Sequence, residues 1–273
     1  MEKTVSPART RPENKKIAEI LSQFRENYKN FIRSFGALSD FFAQIPDTGP
    51  ADGESLKPCW SNKYIPPADA IALCGFLVKY NPAVYVEIGS GNSTKFARAA
   101  ITHFNLGTKI ISIDPYPRAE IDSLCDDVVR LPLQAVPVRI LQKIPKDNIL
   151  FIDGSHLCLQ NSDVTYMFNE ILPSINPEVI LHFHDILWPN DYPDEWKQRY
   201  YNEQYLLGVL LLFGSGYEIL YSSHFVAFDP ELRSQCDAVL PPFISDKCKA
   251  GGGSFWMKIK KIPKQNPPSA GII

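Results

Sequence analysis

The stretch YVEIGSGNST (85–94) brings an acidic side chain and two glycines close together. An apolar run leads to Glu87, and Gly89 and Gly91 follow one residue apart. Glycine lets the backbone approach a ligand without a Cβ collision, and the N–H groups at the start of a following helix attract anions. A carboxylate beside such a turn can receive a cation. The pattern therefore favours a ligand that carries both a negative and a positive group.

Two later stretches, FIDGSH and LHFHDI, combine carboxylates with histidines. The first ends with Asp153 and His156, and the second contains His184 and Asp185. An imidazole that titrates near neutrality can accept a proton from a reacting group, and imidazole with carboxylate can also bind a divalent ion. The remaining histidines are interpreted as structural: His103, His182 and His224.

Short apolar segments alternate with helical ones along the chain. Strands are predicted in AVYVEIG, KIISID, DDVVRLPL, NILFIDGS, EVILHFHDI, YEILYSS and SFWMKIK. A long helix is predicted in DEWKQRYYNEQYLLGVLLLFG, ending at Gly214. The alternation predicts an α/β, Rossmann-like fold with a seven-stranded, mostly parallel sheet and helices on both faces. Because no helix is predicted between the last two strands, we expect an antiparallel C-terminal hairpin.

The chain of 273 residues is divided into three parts. Residues 1–55 are predicted to form an N-terminal helical extension, because apolar residues recur at helical spacing from Ile17 to Ile32. Residues 56–263 form the ligand-binding domain, and residues 264–273 a flexible tail. The N-terminal helices could cover the site or pair two subunits as a homodimer, and composition does not choose between these roles.

Composition limits the classes of partner. Lysine and arginine total 28 against 30 acidic residues, and this net charge of -2 gives no general attraction to nucleic acid or to anionic membranes. The longest aliphatic run, LLGVLLLF, is too short to span a bilayer, and the N-terminus lacks the apolar core of a secretory signal. The six scattered cysteines fit reduced thiols. We therefore expect a cytoplasmic protein with a small-molecule partner.

The predicted sheet places the glycine turn where ligands bind, outside the C-terminal ends of parallel strands. Asp114 ends the second strand and is placed to accept both hydroxyls of a ribose. A nicotinamide-binding fingerprint has a third glycine where Thr94 stands and requires no acid at Glu87, so a nicotinamide-dependent oxidoreductase is disfavoured. S-adenosylmethionine fits better, because it carries an amino group for a carboxylate and a carboxylate for backbone N–H groups.

On EIGSGNST and the later SID, residues 62–260 resemble class I S-adenosylmethionine-dependent methyltransferases. The resemblance implies that the methionine end of the cofactor is held by Glu87, Gly89, Ser90, Gly91, Asn92, Ser93 and Thr94. It also implies that Asp114 binds the ribose, that Gln134 lies near the adenine, and that Asp153 contributes to the cofactor site.

The stretch DGSH further resembles metal-dependent sugar O-methyltransferases of macrolide pathways and cephalosporin-hydroxylase-like proteins. That resemblance implies a magnesium site on Asp153 and Asp185, with Asp153 and His156 in catalysis and His156 as the general base. Those relatives have an acidic residue where His184 stands here. Magnesium prefers oxygen ligands whereas imidazole suits zinc, iron or manganese, so a site with His184 binds another ion, binds weakly or uses no metal.

These features predict a methyltransferase that acts on a hydroxyl or carboxylate oxygen of a small molecule, in metabolite tailoring. A nitrogen acceptor stays open, since an imidazole can also deprotonate an amine. The alternative is a protein that binds S-adenosylmethionine without methylating, as a sensor or with hydroxylase-like chemistry. Three aromatic segments, 59–67, 187–196 and 251–256, are expected to line the acceptor site.

Overall fold

The computed structural model describes residues 13–50, 55–117 and 120–260. The start of the N-terminal extension (1–12) and the tail predicted at 264–273 lie outside these residues. The strands are β1 (Val84–Ile88), β2 (Lys109–Ile113), β3 (Asp127–Val129), β4 (Ile149–Ile152), β5 (Ile180–Phe183), β6 (Tyr217–Ser222) and β7 (Phe255–Ile259).

The helices fall before, between and after these strands. Before β1 lie α1 (Lys15–Ser22), α2 (Arg25–Ser34), α3 (Ser39–Ala43) and α4 (Pro67–Tyr80). Between β1 and β4 lie α5 (Asn92–His103) and α6 (Val138–Leu141). The later ones are α7 (Asp163–Tyr166), α8 (Glu203–Phe213), α9 (Ser223–Phe228), α10 (Pro230–Val239) and α11 (Pro242–Lys247). In the described residues, no helix is long and apolar enough to cross a membrane.

The sheet has seven strands in the order β3-β2-β1-β4-β5-β7-β6. Strands β1 to β5 are parallel, and β7 runs antiparallel to both of its neighbours, β5 and β6. Every residue of β4 and of β5 is buried, as expected where helices cover both faces of a parallel sheet. This arrangement confirms the predicted Rossmann-like α/β fold.

The register of the sheet brings the ends of four strands level. Ile88 at the end of β1 pairs with Ile113 of β2 and with Ile152 of β4, and Ile152 pairs with Phe183 of β5. The residues that follow these strands therefore emerge at one edge of the sheet. They are Gly89, Asp114, Asp153 and His184.

The N-terminal helices pack against the same core as the sheet. The ring centre of Phe31 in α2 lies 4.3 Å from that of Phe76 in α4 and 5.1 Å from that of Tyr221 in β6. Ile17 and Leu21 of α1 are fully buried. The apolar residues at helical spacing in the sequence thus form the buried face of α1 and α2.

Two expectations about the C-terminal half were wrong. The antiparallel pairing of β6 with β7 is confirmed, but helices α9, α10 and α11 connect them instead of a hairpin loop. The long helix ending at Gly214 is divided into a 3-10 segment, Asp194–Arg199, and α8. The division has a local cause, because Tyr200 is left-handed (φ 57°) and the N–H groups of Asn202 and Glu203 donate to the carbonyl oxygen of His156 instead of continuing the helix.

Candidate functional site

The turn after β1 is tied to the end of β4. Gly89 has a φ of 79°, and a Cβ atom there would lie 1.8 Å from the carbonyl oxygen of Asp153. Only glycine satisfies both the backbone conformation and this close approach. Helix α5 begins directly after Gly91, so its free N–H groups point to the same edge of the sheet.

Glu87 and Thr94, both predicted to hold the ligand, lie behind this turn and not on the wall of the cavity described below. The Glu87 carboxylate is fully buried, accepts hydrogen bonds from the Tyr85 hydroxyl (3.0 Å) and the Thr94 hydroxyl (2.5 Å), and is absent from the cavity wall. Thr94 Oγ1 also accepts from the N–H of Gly91 at 3.0 Å. Burial raises the pKa of Glu87 to about 7, although hydrogen bonds from Ser93, Thr94 and Tyr85 oppose the rise. The sequence could not show this inward orientation.

A first cavity of about 500 Å³ opens beside the turn. The predicted residues on its wall are Gly89–Ser93, Asp114, Gln134 and Asp153. Asp114 accepts hydrogen bonds from the N–H groups of Ser90 (2.7 Å) and Tyr116 (2.8 Å), which fix its carboxylate at the wall. The Oε1 atom of Gln134 is buried without a hydrogen-bond partner among the described residues.

These features fit an adenosyl amino acid. The unpartnered oxygen of Gln134 can accept from an amino group on a purine, and Asp114 has further lone pairs for two hydroxyls. A Cβ at Gly91 would meet no atom within 4 Å, so the space beside the helix start is open to a ligand. The charged ends of the ligand would then meet the N–H groups of α5 and the carboxylate of Asp153.

His156 lies between three carboxylates at the end of the sheet. Its Nδ1 is 2.9 Å from Oε2 of Glu203, and its Nε2 is 3.1 Å from Oδ1 of Asp153 and 3.5 Å from Oδ2 of Asp185. The imidazole is 3% exposed. Because a carboxylate only accepts hydrogen bonds, both ring nitrogens must carry protons to satisfy this arrangement.

The electrostatics of the cluster follow from the same contacts. Burial alone would lower the pKa of His156, but the hydrogen bonds to Asp153 and Glu203 raise it well above its usual range. Burial disfavours the charged form of Asp153, yet His184 and His156 hold the pKa of its carboxyl below its usual range. The resting state of the pair is therefore an imidazolium facing a carboxylate.

The donor arrangement does not fit the predicted metal site on Asp153, His184 and Asp185. Nε2 of His156 lies 3.1 Å from Asp153 and 3.5 Å from Asp185, so the ring already contacts both carboxylates that the metal site would need. Among residues 13–50, 55–117 and 120–260, no group of three His, Cys, Asp or Glu side chains could hold a metal ion. The positive charge between the carboxylates is supplied by the chain itself.

A second buried acid, Asp69 of α4, holds the glycine-rich segment before β7. Its carboxylate accepts from the N–H groups of Gly253 and Ser254, both at 2.8 Å, and lies 3.6 Å from Nε2 of His184. A Cβ at Gly252 would lie 2.2 Å from Oδ1 of Asp69. Asp69 therefore fixes both His184 and the segment that lines the neighbouring cavity.

A second cavity of about 740 Å³ adjoins the first. All three predicted aromatic segments contribute to its wall, for example with Trp60, Trp196 and Gly251, and so do His156, His184 and Asp185. Asp153 and Tyr64 line both cavities. The wall also includes His224, which the sequence analysis took for a structural residue and whose Nε2 lies 3.0 Å from Oδ1 of Asn190. By contrast, His182 is buried against Ser254 (2.8 Å), as expected for a packing histidine.

Asp69 is a site residue that the sequence did not single out, and Glu203 is one that the sequence allowed to reach the site without requiring it. Asp69 stands in the otherwise apolar run ADAIALCGFLV, and an acid inside a buried helix is a signal that it has a polar partner. Glu203 carries no such signal, because it is the first residue of an apolar helix, a position where acidic residues are common.

Comparison with known proteins agrees with this geometry. Residues 86–186 match a family described as a methyltransferase domain, and this segment contains the turn together with Asp114, Gln134, Asp153, His156, His184 and Asp185. The chain is also similar to the plantazolicin methyltransferase BpumL in complex with SAH, at 11% identity over 89% of this chain and 100% of that one. The TM-score of 0.43 is too low to establish a common fold. No curated protein matches the chain significantly.

The domain match over residues 86–186 supports an enzyme that transfers the methyl group of S-adenosylmethionine. The narrower resemblance to sugar O-methyltransferases and hydroxylase-like proteins has no counterpart in these comparisons and stays a prediction.

Proposed function

We propose that the protein transfers the methyl group of S-adenosylmethionine to an oxygen atom of a small-molecule acceptor. The observation that carries the proposal is the position of Asp153 on the walls of both cavities. A cofactor in the first cavity and an acceptor in the second would meet at this residue. When bound, S-adenosylmethionine supplies an electrophilic methyl group on a sulfonium.

The first cavity binds the cofactor through residues at its wall. Asp114 accepts the ribose hydroxyls, Gln134 accepts from the adenine amino group, and the start of α5 receives the carboxylate. Asp153, rather than Glu87, is the acid that faces the cationic end. Glu87 and Thr94 contribute indirectly, since they hold the turn in place from behind.

The second cavity orients the acceptor and removes its proton. His156 is the base: it lies on the cavity wall, and its Nε2 contacts Asp153 and Asp185. In the resting imidazolium form it cannot accept a proton, so the reactive form is the neutral ring. A neutral His156 takes the hydroxyl proton while Asp153 and Asp185 stabilise the resulting imidazolium.

Calorimetry and product analysis test the proposal in two steps. S-adenosylhomocysteine should bind, and Asp114→Asn should weaken it by roughly a hundredfold, since one charge-assisted hydrogen-bond pair to the ribose is lost. Thermal unfolding of the variant checks that the turn is intact. Absence of binding to S-adenosylmethionine and S-adenosylhomocysteine alike would rule the proposed function out.

The second step separates transfer from simple binding. Incubation with S-adenosylmethionine and hydroxylated small molecules should yield S-adenosylhomocysteine in proportion to methylated acceptor. His156→Gln should remove this turnover and leave the affinity for S-adenosylhomocysteine nearly unchanged. Binding without turnover on any hydroxyl, carboxyl or amine acceptor would favour a non-methylating protein that only binds the cofactor.

A further inference from the structure

The second cavity has two unlike ends. At its buried end, His156 and His184 are 3% and 2% exposed and face the carboxylates of Asp153 and Asp185. At its exposed end the charged residues on the wall are cationic: Lys63, Arg199 and Lys247. The chain as a whole has a net charge of -2, so a positive cavity mouth does not follow from composition.

The cations at the mouth differ in whether a carboxylate already neutralises them. Lys247 forms an ion pair with Asp47. In the part of the chain that the structure describes, no carboxylate lies within ion-pair distance of Lys63 or Arg199. As far as the described residues go, Lys63 and Arg199 therefore offer two positive charges at the mouth to a ligand.

Arg199 is also held in position. Its guanidinium carbon lies 4.3 Å from the ring centre of Trp196 and 5.6 Å from that of Tyr201. Contacts of this kind orient a guanidinium without satisfying its hydrogen-bond donors. The N–H donors of Arg199 suit a planar anion, because the two parallel N–H groups of a guanidinium match the two oxygens of a carboxylate.

Tyr201 connects this cation to the proposed base. Its ring centre lies 4.6 Å from that of His156 and 5.6 Å from the guanidinium of Arg199. The imidazole and the guanidinium thus both contact Tyr201, so a ring-bearing molecule with a polar group at each end is long enough to reach from one to the other. The aromatic wall suits a flat body between the two ends.

We propose that the acceptor is a ring-bearing hydroxy acid, whose carboxylate binds Arg199 while its hydroxyl oxygen faces His156. This inference rests on the proposed methyl transfer and adds the class of acceptor. In the reaction the hydroxyl oxygen forms a bond to the methyl carbon as the carbon–sulfur bond breaks. The hydroxyl proton passes to Nε2 of His156, and S-adenosylhomocysteine leaves as the neutral thioether.

Matched pairs of acids and amides test the assignment. The probes are 4-hydroxybenzoate and 4-hydroxycinnamate, each with its primary amide, titrated calorimetrically into protein saturated with S-adenosylhomocysteine. The acids should bind about tenfold more tightly than the amides, as expected for one hydrogen-bonded ion pair. In Arg199→Gln this preference should fall to near unity, whereas the control Lys197→Gln, on the same 3-10 segment but paired with Asp194, should keep it.

Three results would overturn the assignment: equal binding of acid and amide, no binding of either, or an acid preference that survives in Arg199→Gln. These results differ from failure of the proposed function. If neutral phenols were methylated with release of S-adenosylhomocysteine, methyl transfer would stand and the acidic acceptor would be wrong. If neither S-adenosylmethionine nor S-adenosylhomocysteine bound, methyl transfer itself would be wrong.

Discussion

Nδ1 of His156 lies 2.9 Å from Oε2 of Glu203, a residue 47 positions later at the start of α8. The backbone supports the same contact, because the N–H groups of Asn202 and Glu203 donate to the carbonyl oxygen of His156. The backbone of His156 is left-handed, with a φ of 58°, a conformation that residues other than glycine rarely adopt. Glu203 therefore fixes the orientation of the proposed base and favours its protonated form.

Glu203→Gln should lower the pKa of His156, since the change removes a buried negative charge beside the ring. In the wild type that pKa is raised, so the neutral ring and the rate should increase as the pH rises above neutrality. In the variant the rate should rise with pH in the same way, but at a pH lower by about one unit or more. Its limiting rate should be about tenfold lower, because the ring is held less firmly. NMR titration of the imidazole signals measures the pKa without an acceptor, and His156→Gln assigns the signal.

Glu195→Gln is the control for this experiment, because Glu195 is exposed on the preceding 3-10 segment. It should leave the His156 titration unchanged. A His156 midpoint that is the same in Glu203→Gln and wild type would show that Glu203 does not tune the ring.

Glu87→Gln should change how the free energy of unfolding depends on pH. The pKa of Glu87 is about 7 in the folded protein, against an ordinary value of 4.5 for an unfolded chain, so the folded state binds its proton more tightly. The resulting stabilisation is fully present below the unfolded pKa and is lost as the pH rises to about 7. Urea unfolding at acidic pH and at pH 8 should show the wild type losing about 3 kcal/mol relative to the variant. Parallel curves for the two proteins would contradict the raised pKa of the buried Glu87 side chain.

Gly89→Ala should lower the stability of the protein, whereas Gly91→Ala should lower its affinity for the ligand. A methyl group at Gly89 would collide with the backbone of Asp153, so the variant should lose about 3 kcal/mol of stability. A methyl group at Gly91 meets no protein atom within 4 Å, so that variant should keep its stability and bind S-adenosylhomocysteine about tenfold more weakly. Thermal unfolding and calorimetry on the pair distinguish a structural glycine from one that leaves room for the ligand. Equal stability losses would contradict the distinction.

Removal of divalent ions should leave methyl transfer intact. The imidazolium of His156 already supplies the positive charge between Asp153 and Asp185, and its Nε2 lies 3.1 Å from the nearer carboxylate. The rate should be the same before and after exhaustive treatment with EDTA. A rate that falls on chelation and returns with magnesium, manganese or zinc would restore the metal hypothesis.

The sheet could be predicted from the sequence because its strands are short apolar runs that end in turn residues. The residues that follow β1, β2 and β4 could be predicted for the same reason, since parallel strands place their ends at one edge. The direction of a side chain could not be predicted: Glu87 follows the strand alternation into the core, and Asp153 points to the cavities. Contacts between distant segments, such as Asp69 with Gly253, leave no periodic pattern at all.

The helices between β6 and β7 were missed because their sequence, rich in proline and polar residues, reads as a loop. Short helices begin there at Pro230 and Pro242, where proline occupies the first turn without losing a hydrogen bond. Packing of Leu232 and Ile244 against the core then stabilises segments whose own helical preference is weak.

The carboxylate of Asp153 borders both cavities, so the affinities of the two ligands are thermodynamically linked. Such linkage is reciprocal. If bound S-adenosylmethionine changes the affinity for the acceptor by some factor, the bound acceptor changes the affinity for S-adenosylmethionine by the same factor. Transfer of the methyl group removes the positive charge from sulfur and thereby weakens the attraction to this aspartate, although the amino group of the cofactor keeps its charge. The affinity of the enzyme for the product S-adenosylhomocysteine would thus fall as a direct result of turnover, with no need for a moving lid.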